Sequence, residues 1–206
     1  MTPTQESLDL TRYISDAINN QTMHHHYHVL FDIANTYPKE QNITYVEIGC
    51  YAGGSACLML QRPNTRVISI DLGYPIDEEI VHGNVNKLNK FNNLYNYLKG
   101  DSQTYEMVNR LKELIDEIDI LFIDGDHSYQ GVINDFILYE GMVKKGGYIV
   151  FDDYSDPSEV HNTSKAVNHI SNQYSLQYNT IGAPPNLLKA RPDSLLEGND
   201  FIIQKI

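Results

Sequence analysis

From Leu8 to Ala34 the apolar residues recur at helical spacing, broken at Asn19-Asn20-Gln21-Thr22, where four poor helix formers coincide. The pattern predicts two leading helices. The period then changes: Ile43-Thr44-Tyr45-Val46-Glu47-Ile48 is a short β-rich run that ends in glycine and leads into an apolar helical stretch, Ala56 to Leu60. Strand, tight loop and helix follow in that order. The same alternation returns with strands at Val67 to Asp71, Tyr95 to Lys99, Ile118 to Asp124 and Gly147 to Phe151, separated by helical segments.

Short strands alternating with helices imply βαβ units and an α/β fold built on a mainly parallel sheet. Ile120-Leu121-Phe122-Ile123 and Tyr148-Ile149-Val150-Phe151 are continuous apolar runs, as central strands buried on both faces require. Glu159 to Gln173 reads as a further helix. Leu176 to Ile181 and Phe201 to Gln204 read as a closing antiparallel pair, and Gly182 to Asn199 between them as a loop lining the site.

A length of 206 residues suits one domain, 1–206, opening with leading helices in residues 1–42. The net charge of -12 would repel a phosphate backbone, and only Lys144-Lys145 are adjacent basic residues, which argues against nucleic acid as a partner. Cys50 and Cys57 form neither a disulfide framework nor a zinc pattern. No apolar run approaches the roughly 20 residues that span a bilayer, and the first residues lack a signal-peptide pattern. The expectation is a cytoplasmic protein that does not bind membranes; a homo-oligomer is left open.

In an open parallel sheet, ligands bind beyond the carboxyl ends of the strands. The first such loop is Glu47-Ile48-Gly49-Cys50-Tyr51-Ala52-Gly53-Gly54-Ser55. Its glycines allow a tight turn and a close approach of backbone to ligand. Their G-x-x-x-G spacing differs from the dinucleotide fingerprint, which tilts the reading away from NAD. Glu47 suits a cationic amino group and Asp71 a ribose diol. S-adenosylmethionine carries both.

Two further strand ends are acidic: Asp124-Gly125-Asp126-His127-Ser128-Tyr129 and Asp152-Asp153-Tyr154. Converging carboxylates repel one another unless a cation or proton intervenes, and hard oxygen ligands suit Mg²⁺ first, Mn²⁺ or Ca²⁺ otherwise. Methyl transfer from a sulfonium needs an electron-rich oxygen in line with the methyl group. A cation lowers the pKa of a coordinated hydroxyl, and a neutral imidazole such as His127 can take its proton.

The glycine loop resembles the first motif of the catechol O-methyltransferase group of S-adenosylmethionine-dependent enzymes. That resemblance implies a Rossmann-like three-layer sandwich whose sheet has seven strands, mainly parallel, with an antiparallel last strand. It also implies that Glu47, Gly49, Tyr51, Gly53 and Ser55 surround the methionine portion of the cofactor and that Asp71 holds the ribose. Gly100-Asp101-Ser102-Gln103 is similar to the adenine-side motif, with Ser102 as the contact. By position, Asp124, Asp152 and Asp153 would bind the metal, Asp124 also bordering the cofactor, and Asp124 and His127 would carry catalysis. Where the catechol enzymes carry lysine this chain has His127, so Asp-Gly-x-His-x-Tyr is closer to the macrocin-type sugar O-methyltransferases. The function implied is methylation of a hydroxyl on a glycan or glycosylated small molecule. A catechol acceptor and a non-catalytic S-adenosylmethionine-binding protein are the alternatives.

Met23-His24-His25-His26-Tyr27-His28 invites a zinc reading, but it lacks a carboxylate at a recognised spacing. In the enzymes this chain resembles the leading helix covers the cofactor or acceptor, which implies that residues 1–42 cover the site and makes Met23, or a neighbouring histidine, a candidate for lining that pocket. Tyr154, beside the acidic pair, is the other candidate substrate contact.

Overall fold

The computed structural model describes residues 2–19, 27–154, 162–184 and 199–206. Two leading helices, α1 (Gln5–Ala17) and α2 (His28–Ala34), precede β1 (Ile43–Ile48), α3 (Gly54–Met59), β2 (Thr65–Asp71), α4 (Glu78–Leu88) and β3 (Tyr95–Lys99). Then come α5 (Tyr105–Leu114), β4 (Ile118–Ile123), α6 (Tyr129–Tyr139), β5 (Val143–Phe151), α7 (Thr163–Gln173), β6 (Tyr178–Gly182) and β7 (Phe201–Lys205). Side-chain caps set several helix starts: Thr4, Thr104 and Ser128 each accept the backbone N–H three residues on, satisfying a donor the helix leaves free.

The seven strands form one sheet in the order β3-β2-β1-β4-β5-β7-β6. Pairing is parallel from β3 to β5, and β7 runs antiparallel to both β5 and β6. This is the Rossmann-like sheet expected, including the reversed last strand. Strand period sorts the core into two layers. Ile120, Phe122, Tyr148 and Val150 face the cluster that includes residues of α1 to α4, while Leu121, Ile123, Ile149 and Phe151 face the one built with α5, α6 and α7. Helices therefore cover both faces, which is why β4 is buried at every residue.

The expected strands hold with small changes of boundary: β5 begins at Val143 rather than Gly147, and β6 starts two residues later than the apolar run. The loop expected at Gly182 to Asn199, the polar break after Asn19 and the start of the helix expected from Glu159 lie mostly outside the described residues. Among the described residues, no helix is long and apolar enough to cross a membrane.

Candidate active site

The strand order reverses between β1 and β4, and loops leaving these and neighbouring strands continue the hydrogen-bond ladder. Gly49 N–H donates to Ile70 O at 2.8 Å, Asp124 N–H to Ile48 O at 2.8 Å, Gly100 N–H to Asp71 O at 2.9 Å and Asp152 N–H to Ile123 O at 3.0 Å. Sheet register thus brings together residues up to a hundred positions apart, at the crevice where open α/β sheets bind ligands. A cavity of about 410 Å³ opens there. It is lined by Gly49, Cys50 and Tyr51, by Asp71, by Ser102 and Gln103, by Asp124 to His127, and by Tyr27 from the N-terminal side of α2.

Gly49 has φ +83°, and a Cβ there would stand 2.1 Å from the carbonyl oxygen of Asp124. Only glycine lets the two loops pack this closely. Tyr51 is also left-handed, at φ +46°. Asp71 anchors the same loop: its Oδ2 accepts the N–H groups of Cys50 (2.8 Å) and Tyr51 (3.2 Å), and its Oδ1 accepts that of Gly73 (2.7 Å).

Glu47, Ser55 and Gly53 lie behind the cavity wall rather than in it. The Glu47 carboxylate is fully buried. Its Oε2 accepts hydrogen bonds from Ser55 Oγ (2.6 Å) and Tyr45 OH (2.9 Å), and its Oε1 accepts from Ser69 Oγ (2.6 Å), which in turn accepts from Tyr95 OH (3.1 Å). Gly53, left-handed at φ +81°, is the N-cap of α3.

At the other end of the cavity, His127 Nε2 lies 3.3 Å from Asp124 Oδ1 and 3.9 Å from Asp152 Oδ2. One ligand atom from each of Asp124, His127 and Asp152 falls within 4.8 Å of the others, a spacing that could hold a metal ion. Asp153 does not join that triplet. Its backbone is left-handed at φ +51°, and its Oδ2 faces the opposite ring nitrogen, 3.7 Å from His127 Nδ1. Burial first, then the Asp152 charge, hold the Asp124 carboxyl well above the usual carboxylate range.

The sequence did not single out Tyr27. Its phenol donates to Asp124 Oδ2 at 2.6 Å and its ring packs edge-on to Phe122. Burial and then the Asp124 charge push the phenol well above its ordinary pKa. Nothing in a histidine-rich stretch marks this one aromatic, whose partner is 97 positions away. Met23 and His24 lie outside the described residues, and His28 is buried within α2, 3.7 Å from Asp32. Tyr154 donates to Asn168 Oδ1 (3.0 Å), stacks on Phe201 and does not line the cavity.

The model of a family described as a methyltransferase domain matches residues 46–154, more than half of the chain and the whole stretch from the glycine loop to the second acidic pair. The chain belongs to this methyltransferase family. It is 42% identical, over 85% of its own length and 82% of the relative's, to an uncharacterized protein of Acanthamoeba polyphaga mimivirus. Its fold is similar to that of the O-methyltransferase TomG from Streptomyces achromogenes, solved with S-adenosylmethionine (TM-score 0.65, 12% identity, 100% of this chain and 92% of that one). It is also similar to the mycinamycin-pathway methyltransferase MycE, solved with Mg, S-adenosylhomocysteine and mycinamycin VI (TM-score 0.63, 17% identity, 96% of this chain and 53% of that one). A TDP-rhamnose 3'-O-methyltransferase of calicheamicin biosynthesis is similar at a TM-score of 0.56 (14% identity, 99% and 96% covered).

Beneath the glycine loop of this methyltransferase, Glu47 confers a pH dependence. Burial pushes its carboxyl up from 4.5 to about 7, against the hydrogen bonds from Ser55, Ser69 and Tyr45 that favour the charged form. A carboxyl with a raised folded-state pKa contributes stability that is present below the unfolded value and lost as pH rises from there through the folded one. Between pH 5 and pH 8 the native chain should therefore lose about 2–3 kcal/mol more stability than a Glu47→Gln variant. Denaturant melts at the two pH values measure this, and equal losses would mean Glu47 is ionised throughout.

Proposed function

We propose that this methyltransferase moves the methyl group of S-adenosylmethionine to a hydroxyl of a sugar, on a glycan or a glycosylated small molecule, assisted by a divalent cation. The observation that carries the reading is the convergence of Asp124, His127 and Asp152, the first two at one end of the cavity whose other walls are the glycine loop, Asp71 and Ser102, the third buried against them. The site fits both groups. The Asp124 and Asp152 carboxylates offer hard oxygen donors for a small divalent ion, Mg²⁺ first, and the His127 nitrogen within 4.8 Å of them is kept for the proton. The cavity of about 410 Å³ walled by Gly49, Asp71 and Ser102 has the volume of a cofactor pocket.

In this reading Asp124 and Asp152 hold the ion, which when bound lowers the pKa of an acceptor hydroxyl and orients it. Tyr27 holds Asp124 Oδ2 and so turns the Oδ1 atom toward His127. His127 accepts the hydroxyl proton at Nε2, with Asp153 facing Nδ1 to orient the ring. Asp153 completes the ligand set or serves as this orienting group. Asp71 receives the ribose diol from its place in the cavity wall, beside the loop it anchors. Glu47 acts on the sulfonium end through the field of its charge, from a buried place where it accepts hydrogen bonds from three hydroxyl groups. We assign the whole of 1–206 to one catalytic unit.

The sugar reading draws on His127 standing where catechol enzymes carry lysine, and on the similarity to a TDP-rhamnose methyltransferase and to MycE. Incubation with S-adenosylmethionine and Mg²⁺, offering a deoxysugar glycoside and a catechol side by side, should give S-adenosylhomocysteine and a methylated sugar, and neither after chelation. Methylation of catechol alone would replace the sugar assignment with the phenolic one. Binding of S-adenosylmethionine with no turnover on either acceptor would favour a non-catalytic partner.

A further inference from the structure

The loop Gly100-Asp101-Ser102-Gln103 is held from behind by α6, and the way it is held restricts what the cavity can bind. Ser102 Oγ donates its only proton to Asp135 Oδ1 at 2.8 Å. The Ser102 carbonyl accepts from Tyr139 OH at 2.7 Å, and Gln103 Oε1 accepts from Asn134 Nδ2 at 2.9 Å. Asn134, Asp135 and Tyr139 lie within two turns of one helix, which begins directly after the His127 loop. Asp135 is fully buried, and its second oxygen has no hydrogen-bond partner among the described residues. An ionised carboxylate in such a place only accepts, so the hydroxyl beside it must donate.

We infer that Asp135 is a positioning residue that sets the hydrogen-bond polarity of the adenine end of the cavity. With its proton committed inward, Ser102 Oγ presents only lone pairs to a ligand; with its oxygen committed to Asn134, Gln103 presents only N–H groups. Adenine offers the complementary edge, a 6-amino donor next to the N1 acceptor. A 6-oxo purine offers the reverse, an acceptor next to an N1–H donor, and leaves both protein groups unsatisfied. Burial pushes the Asp135 carboxyl up to about 7, with the Ser102 hydrogen bond opposing and the charges of Asp126 and Asp101 adding to the rise. The polarity is therefore firmest above neutral pH. The inference rests on the donor reading proposed above, in which Ser102 faces the adenine.

Calorimetry with S-adenosylhomocysteine and S-inosylhomocysteine at pH 8 tests it on the full chain. The native protein should prefer the adenosyl compound by on the order of 100-fold, the loss expected when two polar groups are left unsatisfied. Asp135→Asn can donate to Ser102 Oγ and free its proton to turn outward, so the preference should shrink to roughly tenfold or less. Ser102→Ala, which removes the acceptor and keeps the helix, should shrink it as well, and this variant decides the matter should Asp135→Asn fail to fold. An unchanged preference in either folded variant overturns the inference and leaves the donor reading intact. Failure of the native protein to bind S-adenosylhomocysteine overturns both.

Discussion

Replacing Gly49 by alanine should abolish S-adenosylhomocysteine binding and lower the melting temperature by about 10 °C. Two effects act together. The residue occupies φ +83°, where an L side chain costs about 1–2 kcal/mol. The added Cβ would also stand 2.1 Å from Asp124 O and 2.7 Å from Asp124 C, both backbone atoms in a loop anchored by the Asp124 N–H bond to Ile48 O. No side-chain rotation relieves such a contact, so one loop must move. Moving it opens the wall between the donor loop and the acidic cluster, so binding falls further than stability does. Gly53→Ala makes the comparison sharp, because its Cβ would meet only the end of the Val81 side chain at 3.0 Å. Calorimetry and thermal melts of both variants measure the difference. A Gly49→Ala protein that binds and melts like the native chain would show that the close approach of the two loops does not matter.

That contact also shows where the sequence was legible and where it was not. The continuous apolar runs Ile120 to Ile123 and Tyr148 to Phe151 mark central parallel strands because both faces of each have to be apolar. Once the strands were placed, strand-end chemistry followed: Gly49, Asp71, Ser102, Asp124 and His127 all reach one cavity. Direction was not legible. Glu47 reads as a ligand-facing acid, but strand alternation turns it inward onto Ser55 and Ser69, and no motif records that alternation. Tyr27 was missed for a different reason. A helix that precedes the sheet packs wherever its apolar face fits, so its contact with Asp124 depends on tertiary packing that no local pattern encodes.

The acidic cluster should show opposite effects of one substitution on stability and on activity. Asp152 is fully buried, and its charge is the largest electrostatic influence raising the Asp124 carboxyl. Without a cation the two carboxylates destabilise the fold by mutual repulsion; with one, the same repulsion becomes the attraction that holds it. Asp152→Asn keeps the shape of the side chain and removes the charge. In chelator the variant should therefore melt about 5 °C above the native chain, a gain of about 1–2 kcal/mol. Its Mg²⁺ affinity should fall by on the order of 100-fold, and methyl transfer by at least as much, since a displaced ligand misplaces the acceptor as well as weakening the ion. Added Mg²⁺ should stabilise the native chain and leave the variant's melting temperature nearly unchanged, because only a ligand that binds the folded form shifts the melt. Thermal melts with and without Mg²⁺, alongside turnover on whichever acceptor is methylated, read all of these at once. A variant that melts below the native chain in chelator and keeps its turnover would assign Asp152 to structure and remove it from the cation site.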